Sequence, residues 1–251
     1  MSNYVLARRI AEQRTTGAVS AALLQCFPQL VALCDEPEPA YRDIDFTGPV
    51  MATWKEASIL HALVKRLKPT HALEIGTSVG WTAAHILLGM PENSSLTAVD
   101  PFNETATGLD RYNPDVLERL NDNIFRLDNE ARRNVGFHIY RGMSPEAVPQ
   151  SQWDFVFIDG WHRDGQPLRD VEGVLPNMNP HSVIVMHDFF MPDVQAAGRF
   201  LVCDNKWYFT GYLSRHQIGV FVKDIITDKG EKYPRWWRPF QDDVSKIFLQ
   251  E

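Results

Sequence analysis

One stretch decides the fold: His71-Ala72-Leu73-Glu74-Ile75-Gly76-Thr77-Ser78-Val79-Gly80-Trp81-Thr82-Ala83-Ala84-His85-Ile86-Leu87-Leu88, followed by Ser95-Leu96-Thr97-Ala98-Val99-Asp100. A short, mostly apolar run enters a turn bounded by glycines, apolar residues then recur at helical spacing, and a second apolar run ends in an acid. Strand, helix and strand in that order make a βαβ unit, whose two strands lie parallel.

Working outward from this unit, Thr53-Trp54-Lys55-Glu56 has the spacing of a capping box, so a helix is predicted from there through Leu67, with Pro69 ending it. Downstream the alternation continues: a polar helix over 114–129, strands over 135–140, 153–158 and 182–186, and a helix over 168–175. The runs 207–213 and 218–223 flank Ser214-Arg215-His216-Gln217 and read as a hairpin at one edge. The predicted fold is α/β: a doubly wound, Rossmann-like sheet of seven strands, five parallel plus a C-terminal antiparallel hairpin, with helices on both faces. Residues 1–50 are expected to form two N-terminal helices and a proline-bearing lid segment, 51–223 the core, and 224–251 an aromatic tail packed on that core.

The chain has 251 residues, 44% hydrophobic and 23% charged. That length allows roughly 70–75% of the unfolded surface to be buried. No apolar run reaches the ~18–20 residues that cross a bilayer, and no secretory leader pattern is present, so a membrane partner is not expected. Lys and Arg number 25 against 32 Asp and Glu, a formal charge of −7. No basic block offers a footprint for nucleic acid. Cys26, Cys34 and Cys203 are odd in number, lack CxxC spacing and have apolar neighbours, which predicts buried thiols in a reducing cytoplasm.

In a doubly wound sheet, chemistry gathers at the carboxyl ends of the strands. The first strand ends in Glu74-Ile75-Gly76-Thr77-Ser78-Val79-Gly80, a GxxxG spacing. Either its backbone approaches a ligand closely, or it only packs a helix on a strand. Glu74 before the turn suits a cationic ligand and repels pyrophosphate. Asp100 ends the second strand, where an acid can accept from ribose hydroxyls; a solvated turn acid is the plainer reading. Phe155-Val156-Phe157-Ile158-Asp159-Gly160-Trp161-His162 delivers a carboxylate, an aromatic plane and an imidazole after the fourth strand, and Met186-His187-Asp188 delivers more after the fifth.

In order and spacing these pieces resemble the class I S-adenosylmethionine-dependent methyltransferases, particularly small-molecule O-methyltransferases of the catechol and caffeoyl-coenzyme A type and relatives with a DGxH…HD signature. The resemblance runs over 53–223 and rests on TWKE, LEIGTSVGWTA, AVDPF, RGMS, the segment 153–159 with GWH, and MHDF. It implies S-adenosyl-L-methionine as cofactor, with Glu74, Gly76, Ser78 and Gly80 along its methionine portion, Asp100 on the ribose, Ser144 near the adenine edge, and Asp159 in the same cleft. Trp161 would lie on the adenine face; the alternative is a core-packing tryptophan. Where the family holds magnesium, Asp159 and Asp188 match its ligands. His187 stands in place of an acid, which weakens the case for Mg²⁺ because imidazole favours softer ions; the open alternatives are another divalent cation, no metal, or a His187 that supports the ligands or orients the loop.

His162, three residues after Asp159, falls where the catechol-type enzymes have a lysine base, and with Asp159 it makes up the implied catalytic pair. A neutral imidazole can take a hydroxyl proton, though a histidine capping the next helix is the structural alternative. The implied reaction moves a methyl group to an oxygen of a small-molecule hydroxyl acceptor, in a chain that could assemble as a homo-oligomer. Two rivals are weighed: an NAD(P)-dependent oxidoreductase, opposed by the missing third glycine and by Glu74, and a cofactor-binding module without turnover.

Overall fold

The computed structural model describes residues 52–102, 115–130, 134–205, 207–213 and 218–223. The predicted N-terminal helices and lid segment, the greater part of the 102–112 loop, the 214–217 turn, the C-terminal tail, Cys26 and Cys34 lie outside them.

Helix α1, Trp54–Leu67, begins at the predicted box. The Thr53 N–H donates to Glu56 Oε2 at 2.6 Å, and Thr53 Oγ1 accepts the Glu56 N–H at 3.4 Å. Lys68 closes it in the left-handed region, φ 52°, one residue ahead of Pro69. There follow β1 (His71–Ile75), α2 (Trp81–Gly89), β2 (Ser95–Asp100), α3 (Val116–Glu130), β3 (Gly136–Arg141), β4 (Trp153–Ile158), α4 (Gln166–Val174), β5 (Met178–Met186), α5 (Pro192–Arg199), β6 (Tyr208–Leu213) and β7 (Ile218–Val222).

Seven strands form the sheet in the order β3-β2-β1-β4-β5-β7-β6. β1 to β5 run parallel, and β7 enters antiparallel between β5 and β6. The central strands are mostly apolar because both faces are covered, with Glu74 the buried exception in β1. Along β4 and β5, Phe155, Phe157, Val183 and Val185 pack with α1, α2 and α3, while Val156, Ile158, Ile184 and Met186 pack on the other side with α4 and α5. A one-residue slip in register would exchange the two sets.

Three details differ from the sequence reading. β5 starts at Met178 rather than at residue 182, since the exposed Pro180-His181 stretch, with His181 at φ 64°, hid its first half. Helix α5 was not anticipated, although Pro192 and Asp193 in its first turn are start signals. Cys203 is exposed, not buried, because it lies on the π-helical turn after α5 whose buried contact is Leu201.

Candidate functional site at the strand ends

Backbone bonds extend the sheet one residue beyond its strands. The Gly76 N–H donates to the Val99 carbonyl at 2.9 Å, Asp159 N–H to Ile75 at 2.9 Å, His187 N–H to Ile158 at 3.0 Å, and Gly142 N–H to Asp100 at 3.0 Å. The first residue of each loop is therefore fixed by the sheet, the kind of support a site needs. Strand order reverses between β1 and β4, so the loops after these two strands face one crevice.

Gly76 sits at φ +88°, and a Cβ there would stand 2.2 Å from the Asp159 carbonyl oxygen. The close approach required of Gly76 is thus to the loop after β4. Gly80, at φ +86°, has Leu120 of α3 where a side chain would go. Ser78, at φ 46°, turns its N–H to Asp100 Oδ2 at 3.0 Å, and Phe102 N–H donates to Oδ1 at 2.8 Å. Burial raises the Asp100 pKa, and these N–H bonds oppose the rise. Each carboxylate oxygen retains capacity for a further donor.

Glu74 departs from expectation. It points to the α2 side of the sheet, fully buried, with one oxygen accepting from the Thr77 hydroxyl and the other from Thr82. Burial pushes its pKa up to about 7, with Asp159 and Asp100 adding repulsion. It braces the glycine loop from beneath through these two hydroxyls.

The loops after β4 and β5 bring Asp159, His162, His187 and Asp188 together. His187 Nδ1 lies 3.0 Å from Asp159 Oδ1 and 3.5 Å from Asp188 Oδ1, and its Nε2 lies 3.5 Å from Glu56 Oε2. His162 Nε2 is 3.3 Å from Asp159 Oδ1, and its Nδ1 is 3.3 Å from Asp188 Oδ2. Burial alone would lower His187, but Asp159, Glu56 and Asp188 outweigh it and raise its pKa to about 11. Burial likewise opposes ionisation of Asp159 and Glu56, yet the histidines hold Asp159 below the usual carboxylate range, and His187 with Thr53 does so for Glu56. His162 does not cap α4: the cap is Gly165, without a side-chain bond.

Trp161 is half-buried and donates its indole N–H to Asp164 at 2.9 Å, so it is not a core tryptophan. Ser144 is buried; its carbonyl accepts Gln166 Nε2 at 2.6 Å, and the same nitrogen reaches Asp170 Oδ1 at 2.6 Å. Burial pushes Asp170 up to about 6, against the pull of Gln166 and Ser144. Glu56 escaped the sequence reading as a site residue because its capping role already explained it. Thr77, Thr82, Gln166 and Asp170 carry no spacing that singles them out.

Residues 73–189 match a family described as "Methyltransferase domain". They run from β1 to just past Asp188. No curated protein matches the chain in sequence. Among solved structures, the O-methyltransferase from Bacillus cereus in complex with S-adenosylhomocysteine is 15% identical with TM-score 0.54, over 86% of this chain and 97% of that one. The O-methyltransferase TomG of Streptomyces achromogenes, involved in tomaymycin synthesis and complexed with S-adenosylmethionine, is 14% identical with TM-score 0.55, over 88% and 98%. The methyltransferase PaMTH1 of Podospora anserina, bound to S-adenosylhomocysteine, is 12% identical with TM-score 0.54, over 86% and 94%. At such identities the likeness is one of fold. The matched stretch lies over the very strands and loops that assemble the crevice, so residues 73–189 are similar to a methyltransferase domain and sit on a Rossmann-like sheet.

Proposed function

We propose that this chain transfers a methyl group from S-adenosyl-L-methionine to an oxygen of a small molecule. The observation that carries the proposal is that the Gly76–Gly80 loop touches both neighbouring loops, Ser78 N–H on the Asp100 carboxylate and Gly76 against the Asp159 backbone, so that two acids gather at the switch point. Such a rim suits a cationic sulfonium and opposes a pyrophosphate. Solved relatives of this fold that hold S-adenosylmethionine or S-adenosylhomocysteine support the same reading.

When bound, the cofactor supplies an electrophilic methyl group on its sulfur. Gly76, Ser78 and Gly80 would present backbone along its methionine portion, and Asp100 would accept from the ribose hydroxyls. Ser144 would border the adenine edge and Trp161 its face, with Asp159 in the same cleft. The protein's main work is alignment of acceptor oxygen and methyl carbon within about 3–3.5 Å. His162, 3.3 Å from both Asp159 and Asp188, would take the acceptor's proton in the ion-free protein.

The buried ring nitrogens of His187 and Nε2 of His162 make no hydrogen bond of acceptable geometry, which fits a divalent cation at this rim, with Asp159, His187 and Asp188 as its expected holders. Such an ion would supply Lewis acidity toward a hydroxyl. A cytoplasmic setting is proposed from cysteine usage alone. Among the described residues no helix is long and apolar enough to cross a membrane.

The test is transfer of a labelled methyl group to a panel of phenols, diols and sugars. His162→Ala is expected to lower turnover by about 10²–10⁴-fold while the dissociation constant for S-adenosylhomocysteine stays within about threefold. Binding of NAD without binding of S-adenosylhomocysteine would overturn the proposal.

A further inference from the structure

The two histidines are arranged alike. Each ring has one nitrogen at Asp159 Oδ1, 3.0 Å for His187 and 3.3 Å for His162, and its other nitrogen at an outer carboxylate, Glu56 for His187 and Asp188 for His162. One ligand atom from each of Asp159, His162 and His187 falls within 4.8 Å of the others. His187 is only 7% exposed, yet neither of its nitrogens has a hydrogen bond of acceptable geometry, and the same holds for Nε2 of His162.

Donors held about 2.1 Å from a common ion lie about 3.0 Å apart at octahedral angles and about 3.4 Å apart at tetrahedral ones. The separations of 3.0 and 3.3 Å fit that range. Histidine ligands of metals almost always carry a carboxylate or carbonyl on the second nitrogen, which fixes ring and tautomer. Glu56 Oε2, 3.5 Å from the second nitrogen of His187, is the carboxylate nearest to that place, and Thr53 fixes Glu56 in turn through its N–H and hydroxyl, at 2.6 and 2.8 Å.

We infer that Asp159, His162 and His187 form a two-histidine, one-carboxylate site that takes a divalent first-row transition ion in preference to Mg²⁺, with Glu56 and Asp188 orienting the two rings. This rests on the methyltransferase reading for its purpose. It changes two residue roles: Asp188 acts on His162 and not on the ion, and Nε2 of His162 cannot both bind the ion and take a proton. The preference follows from donor type, since imidazole suits transition ions whereas magnesium demands oxygen and retains its waters.

The experiment uses the full chain, freed of metal by chelation, titrated with Co²⁺ and followed by its visible absorption. One equivalent is expected to bind, with Zn²⁺ displacing it and about 5 mM Mg²⁺ leaving it in place. Glu56→Gln is expected to weaken Co²⁺ by about 10–100-fold. His187→Asp is expected to weaken it at least as much and to let Mg²⁺ compete. Absence of saturable Co²⁺ absorption, displacement by Mg²⁺ in the unaltered chain, or unchanged Co²⁺ affinity in both His162→Asn and His187→Asn would overturn the inference. Calorimetry with S-adenosylhomocysteine on the same samples shows that each variant is folded. It also separates the two ideas: loss of Co²⁺ alone sinks the ion site, and failure of the unaltered chain to bind S-adenosylhomocysteine sinks the methyl-transfer reading.

Discussion

Gly76 is where the loops after β1 and β4 meet, and its φ of +88° with a virtual Cβ 2.2 Å from the Asp159 carbonyl leaves no room for a side chain. Gly76→Ala combines a left-handed backbone, costing about 1–2 kcal/mol, with a backbone collision that cannot relax by a rotamer change, and a total loss of at least about 3 kcal/mol is expected. Gly165 is the matched control: its φ is also positive, +69°, but nothing lies within 4 Å of its virtual Cβ. Gly165→Ala is expected to cost only about 1 kcal/mol. Urea unfolding of both variants checks the contrast; equal losses would mean that strain, not contact, governs both. From the sequence, Gly76 was legible as a point of close approach, but not what approaches it. Glu56 shows the complementary blindness, since a residue that satisfies one local rule gives no hint of a second partner 131 positions away.

At the scale of elements, β1 and the loop it feeds are coupled through Glu74, whose carboxyl is held by the hydroxyls of Thr77 in the loop and Thr82 in α2. Burial lifts its pKa from 4.5 to about 7. A folded-state pKa above the unfolded one means that the folded chain binds this proton more tightly. Stability from this group is therefore complete below pH 4.5, declines as pH rises, and is lost above about pH 7. The decline amounts to roughly 3 kcal/mol. Glu74→Gln keeps an acceptor for one threonine, and the other hydroxyl can turn to accept. The variant is expected to be close to the unaltered chain in stability at pH 5 and more stable by up to roughly 3 kcal/mol at pH 8.5. Denaturant midpoints of the pair at both pH values measure it; a difference independent of pH would show that Glu74 is ionised throughout. The elements themselves were readable because period and punctuation agreed, as in Thr53, Pro69 and the apolar runs of β1 and β4. They failed where local chemistry was ambiguous: Pro180 and His181 masked the first half of β5, and α5 is short and half exposed. The direction of Glu74 was invisible for another reason. Both faces of β1 are covered, so no alternation marks which face a polar residue takes.

For the whole molecule, the consequence of one crevice rimmed by acids is that charge on the ligand should matter more than shape. The chain carries a formal −7, and Asp100, Asp159 and Asp188 stand at or just after the last residues of β2, β4 and β5, at one end of the sheet. S-adenosylmethionine and S-adenosylhomocysteine differ by one methyl group and one positive charge, so their comparison isolates the field of the rim. A saturating ligand at about 100 times its dissociation constant stabilises the fold by about 2.7 kcal/mol, which corresponds to a rise in Tm of about 5–10 °C for a chain of this size. Both adenosyl ligands are expected to produce that rise at matched saturation, and NAD none. The affinity of S-adenosylmethionine should fall as salt is raised from about 0.05 to about 0.5 M, where the Debye length shrinks from about 14 to about 4 Å, while that of S-adenosylhomocysteine changes little. Thermal shifts over a salt series test both statements together. Parallel salt dependence for the two ligands would mean that the sulfonium sits away from the carboxylates, and the roles assigned to Asp100 and Asp159 would have to be redrawn around a different part of the crevice.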